Sequence, residues 1–128
     1  MNFMRQIGAN IWYAMKNKNM SYGDIEAILE EKNIFMDGVT LRLVINGEKI
    51  LSYLELQIFA EILEVEITNL LEKNDNFFKM LLGDKLASTL TDREKAIIDK
   101  LLDNINFVNL WSNIDTEKRI KENNGTEY

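Results

Sequence analysis

The chain contains no cysteine, no histidine and no proline among its 128 residues. Without cysteine there is no disulfide, no thiolate metal site and no cysteine nucleophile. Without histidine the commonest general base is missing, and with it the serine triad and most zinc sites. The lack of proline argues against strand-and-turn sandwiches and in favour of helix. Gly23, Gly38 and Gly47 are isolated turn glycines and form no phosphate loop. Apolar stretches such as Val44-Ile45 and Met80-Leu81-Leu82 are far too short to span a bilayer. Gln6 and Asn10 interrupt the first apolar segment, so it does not read as a signal peptide. A cytoplasmic protein with no membrane partner is the expectation.

What is present suffices for a folded domain. Apolar residues make up 46% of the chain, enough for a sizeable core. The 15 basic and 21 acidic residues give a net charge of −6. Residues 1–73 hold 7 basic and 11 acidic side chains and residues 74–128 hold 8 and 10, so the acidity is spread over both halves. A nucleic-acid partner would therefore have to meet a locally basic face on an acidic body. The Glu61, Glu64, Glu66, Glu72 series lacks the spacing of a calcium loop. Asp92 and Glu94 are explained by helix capping rather than acid–base work. Carboxylates and lysines remain, but no constellation for catalysis is found, and neither metal nor cofactor is expected.

Hydrophobic periodicity predicts an all-α fold. Phe3, Ile7, Ile11, Ala14 and Met15 mark an amphipathic helix over 3–18, closed by Asn17-Lys18-Asn19. Ser21 is a good N-cap for a short helix from about Tyr22 to Glu31, with Asp24 at its positive end and Lys32-Asn33 after it. Residues 39–50 admit two readings. Their β-branched residues and Asn46-Gly47 fit a hairpin. A helix from about Gly38 to Ile45, with Leu41 and Val44 inward and Asn46-Gly47 as its stop, is the other; local propensity favours the hairpin, and the helices close on either side favour the helix. Ser52 with Glu55 predicts a further helix carrying Leu56, Phe59 and Ile62-Leu63, and Ile67, Leu70 and Leu71 predict another. The polar stretch from Glu72 to Asn76 marks a boundary. Beyond it come an apolar cluster around Phe77 and Phe78, then a Thr91-to-Glu94 capping box before a long helix. The chain turns polar after Asp115, and residues 123–128 are expected to fray.

Five short helices in this order resemble the lambda-repressor-like helix-turn-helix family, the Xre-type regulators, over residues 5–73. Ile7-Gly8 resembles the family's first-helix apolar-Gly pair, and Ser21 and Ile25 match the second helix. Thr40, Leu41 and Val44 fall in its recognition helix, and Asn46-Gly47-Glu48-Lys49 resembles its Asn-Gly-Lys stretch. Tyr53 to Val65, with Ile67 and Leu70-Leu71, is similar to its fourth and fifth helices. The chain departs in three places. Glu26 replaces a small residue, Glu30 to Met36 is longer than the family's turn by about five residues, and Ile45 replaces the usual Glu.

The resemblance implies a helix-turn-helix domain over 1–73, followed by a helical oligomerisation segment over 77–122. A recognition helix in a major groove would turn Asp37, Gly38, Val39, Arg42 and Asn46 outward. Arg42 would pair with guanine, Asn46 with adenine or phosphate, and Thr40 with a thymine methyl or phosphate. Lys16, Lys18 and Lys49 would lie near the flanking backbone, and Tyr22 would donate to a phosphate. Asp37 and Glu48 stand close by and oppose this. Val39, Leu43 and Ile45 are more apolar than such a helix needs, and serve as core or as a partner surface. The stripe through Ile97, Leu101, Ile105, Val108 and Trp111, with Phe77 and Phe78, either packs back on the first part or pairs subunits. The leading expectation is a dimeric repressor binding double-stranded DNA. The rival is a protein-interaction inhibitor on the same scaffold, which sequesters a related regulator or blocks a host or phage-defence protein.

Overall fold

The structure is a computed structural model that describes residues 3–102. Among the described residues the chain is all-α, as the periodicity predicts. The helices are α1 (Phe3–Asn17), α2 (Tyr22–Glu31), α3 (Gly38–Ile45), α4 (Tyr53–Leu63), α5 (Ile67–Leu71), α6 (Asn76–Leu82), α7 (Asp84–Thr89) and α8 (Asp92–Leu102). The expected frayed tail and the rest of the long helix lie outside the described residues.

Local chemistry sets the starts and stops. Ser21 and Asp24 exchange reciprocal hydrogen bonds at the start of α2, as do Ser52 and Glu55 at α4 and Thr91 and Glu94 at α8. Asn19, Asn33, Gly47 and Glu64, all at positive φ, close α1 to α4. In α3 the N–H of Gly47 donates to the Val44 carbonyl (3.0 Å) and the N–H of Glu48 to the Leu43 carbonyl (2.9 Å). Asn46-Gly47 is therefore a helix stop, and the hairpin alternative for 39–50 is not what forms. Burial decides it: Leu41, Val44 and Ile45 fall on one helical face and are 1–3% exposed. Their burial is worth about 1.5–3 kcal/mol each, more than the few tenths by which β-branched residues disfavour helix.

α1 is the central strut. One side, with Ile11 and Met15, joins the main core of Ile25, Leu29, Leu41, Phe59, Leu63 and Leu70. Its other side carries Ala9 into a second cluster with Phe77, Phe78 and Ala87. Phe77 and Phe78, expected at a subunit interface, are thus 1% and 6% exposed inside their own chain. They pack there because Asn10 and Asn76 bring α6 onto α1, the Asn76 Nδ2 donating to Asn10 Oδ1 at 3.0 Å. Phe3, by contrast, was expected on the apolar face of α1 and stands 59% exposed at its start.

α1 also meets the end of α3 backbone to backbone. A Cβ at Gly8 would lie 2.2 Å from the Ile45 carbonyl oxygen and 2.6 Å from that of Val44. A Cβ at Gly47 would lie 2.6 Å from the Arg5 backbone. No rotamer relieves a clash with main-chain atoms, so Gly8→Ala should cost about 1–3 kcal/mol. Gly38, the first residue of α3, has nothing within 4 Å of an added Cβ. Gly38→Ala should leave stability unchanged or raise it by up to about 1 kcal/mol. Urea unfolding of both variants checks the contact, and equal stabilities would mean α1 and α3 are not pressed together.

Candidate binding surface

The α2–α3 edge is built by two inward-facing helices and the six residues, 32–37, that join them. Ile25 and Leu29 anchor α2 in the core at 0–1% exposure, which leaves Glu26 and Glu30 on its outer side. In the connection Ile34 is half-buried and Met36 buried. Phe35 between them points out, 85% exposed, as alternation along an extended backbone requires. Asp37 then caps α3, its Oδ1 accepting from the Thr40 N–H at 2.8 Å. That backbone hydrogen bond, supported by the Thr40 hydroxyl, holds the Asp37 carboxyl below its ordinary pKa. Val39, on the first turn of α3, is 66% exposed. Glu26, Glu30, Ile34, Phe35, Met36, Asp37 and Thr40 line a groove of about 320 Å³.

The residues expected to contact DNA are not gathered into one cationic face. Arg42 lies over the Tyr22 ring, its guanidinium carbon 5.5 Å from the centroid. Both residues are half-buried, and Arg42 Nε is buried without a hydrogen-bond partner. Lys16 stacks on Trp12 at 4.7 Å, and the Lys18 ammonium pairs with Glu64 at 2.9 Å. Lys49 lies half-buried at an apolar pocket with Phe3, Ile7, Val44 and Ile50. Thr40 is half-buried at the groove. Asn46 was expected to reach a base or phosphate. It is 3% exposed, because as the C-cap of α3 it sits where the helix end presses against α1. Among the three apolar residues of the third element, Ile45 is core, Val39 is exposed and Leu43 is half-buried.

The groove itself does not stand out in the sequence. Its signal was the Ile34-Phe35-Met36 run, in which an extended chain can bury only alternate residues. A second exposed apolar set lies on α7 and α8. Leu86, Ile97 and Leu101 are 50–70% exposed, while Ile98 and Leu102 lean onto the second cluster. Ile105, Val108 and Trp111 lie outside the described residues. α8 buries no residue fully; beside the packing of Ile98 and Leu102 it makes two ion pairs, Arg5–Asp99 at 3.5 Å and Lys95–Asp75 at 2.9 Å. Among the described residues no group of three or more metal-ligating side chains converges, and no helix is long and apolar enough to cross a membrane. No known family, curated protein or solved structure matches the chain.

The Asp37 cap gives α3 a pH dependence with a definite sign. A carboxyl whose pKa is lowered on folding stabilises fully above its unfolded value, and that contribution is lost as pH falls through the folded value. Asparagine caps about as well and does not titrate in this range. Below about pH 4 wild type should lose stability relative to Asp37→Asn, whereas near neutrality the two should differ little. Urea unfolding across pH measures this, and a pH-independent difference would remove the cap's role.

Proposed function

We propose that this chain is a non-enzymatic regulatory binding protein on a five-helix, lambda-repressor-like head, residues 1–73, whose α2–α3 edge docks a protein. The order and lengths of α1 to α5 support the head, as does the Gly8 and Asn46-Gly47 contact between α1 and α3. The observation that carries protein docking is the outer face of α2 and α3. It presents Phe35 and Val39 with Glu26, Glu30 and Asp37. Phosphate is repelled by such a rim, whereas an exposed aromatic in a groove is a typical protein anchor. Lys32, the one cation of the connection, is drawn off to Glu61 at 3.5 Å.

A DNA-reading repressor is the second reading, favoured by the placement of Arg42 and Tyr22, two expected DNA contacts, side by side on α3 and α2. Titration of duplex fragments from the gene's own upstream region, followed by fluorescence anisotropy at low and moderate salt, separates the two. The docking reading expects no specific, salt-sensitive binding. A steep salt slope that weakens in Arg42→Ala would replace it with the DNA reading.

Self-association belongs to the same proposal and rests on the exposed stripe of Leu86, Ile97 and Leu101. Leu101 is 70% exposed, so Leu101→Glu should fold normally. Sedimentation equilibrium should find wild type dimeric and Leu101→Glu monomeric. Identical masses would show that this face does not pair subunits.

A further inference from the structure

We infer that the groove between α2 and the start of α3 takes a basic peptide segment of a partner protein, anchored by one apolar side chain. This rests on the protein-docking reading above and adds the chemistry of the partner. The groove is about 320 Å³, at the small end of the ~300–1,000 Å³ of ligand pockets. That is room for one or two anchoring side chains rather than for a whole small ligand. Its floor is apolar, with Met36 buried and Ile34 half-buried, and Phe35 at its margin is the most exposed large apolar side chain among the described residues. A partner side chain set beside Phe35 would remove both from water.

Charge chooses the partner. Glu26 and Glu30 stand one helical turn apart on the outer face of α2, and Asp37 faces the same groove. None of the three has an ion pair among the described residues, and the nearest lysine in sequence, Lys32, is paired with Glu61. Three carboxylates around an apolar floor match Lys or Arg on either side of an aliphatic or aromatic residue, the pattern of a basic amphipathic segment. A nucleic acid brings the wrong charge. A second copy of this chain brings a further net −6 to the same place.

Selection of a random twelve-residue peptide display library on immobilised full-length protein tests this without presuming a sequence. The selected peptides are then titrated against wild type, Glu26→Lys/Glu30→Lys, Phe35→Ser and the control Glu66→Lys/Asp84→Lys. The control makes the same change in net charge at exposed sites outside the groove. All the substituted residues are exposed, and thermal melts confirm folding. The expected result is a consensus with Lys or Arg flanking an apolar residue. Its affinity should fall about tenfold or more in both groove variants and stay within about twofold in the control. Equal losses in the two charge-reversed proteins would show attraction by net charge alone and overturn the site. A neutral or acidic consensus, insensitive to the groove variants, would overturn the site while leaving protein docking in place. Failure to enrich any peptide also overturns the site, and specific duplex binding by the same preparation would then overturn protein docking with it.

Discussion

The buried carboxamide of Asn10 holds the two halves of this molecule in register. α5 is only five residues long, so its last carbonyls have no donors within the helix. Asn10 Nδ2 donates to the Leu70 and Glu72 carbonyls at 2.9 and 3.0 Å, and Gln6 Nε2 donates to that of Leu71 at 3.2 Å. Asn10 Oδ1 accepts from Asn76, the first residue of α6. One side chain of α1 thus closes the end of the first five helices and fixes where the next helix begins. Each acceptor stranded by its loss would cost about 1–3 kcal/mol. The packing of Phe77 against α1, and the reach of Arg5 to Asp99, both follow from that placement.

This constraint decides which surfaces remain for partners. α1 is committed inward on two sides, by Ile11 and Met15 toward one cluster and by Ala9 toward the other. Gly8 and Gly47 bring its backbone against the end of α3, so Asn46 is lost to the interior while Val39, at the start of the same helix, stays outside. The surfaces left outward include the α2–α3 edge, the stripe on α7 and α8, and a third apolar set of Phe3, Ile50, Tyr53 and Leu54. The first is acidic with an aromatic at its margin, and the second is aliphatic. They are suited to different occupants.

Much of the α-helical order is legible in the sequence because it is locally encoded. Ser21, Ser52 and Thr91 with their acidic partners mark three starts, and Asn19, Asn33 and Gly47 mark three stops. Residues 39–50 resist a local reading because hairpin and helix differ there by little intrinsic energy, and the core, which settles it, is not local. The polar residues of α1 are opaque for the same reason. Gln6 and Asn10 interrupt an apolar stripe and look solvated, yet their partners lie 60–66 residues away. Phe77 and Phe78 leave packing back and subunit pairing both open in the sequence until Asn76 places them. The candidate groove is similarly hidden. Its carboxylates look like an ordinary solvated face until the bend at Asn33 brings Asp37 toward Glu26 and Glu30.

The fold does not require that acidity. Asp37 caps α3 well, but serine or asparagine would cap it comparably without a charge. The carboxylates of Glu26 and Glu30 make no hydrogen bond or ion pair within the described residues, and like charges one turn apart weaken a helix by about 0.2–0.5 kcal/mol. The exposed ring of Phe35 likewise contributes nothing to the core. Three charges and an aromatic side chain therefore sit together at a small cost to the free chain. A cationic, apolar partner relieves both the repulsion and the exposure at once, whereas a duplex relieves neither. Arg42 does not reverse this balance, because its guanidinium lies over Tyr22 and its Nε is buried. Bringing it to a phosphate would require giving up that stacking. On the proposed reading, the electrostatics of the edge therefore suit a protein partner better than a duplex.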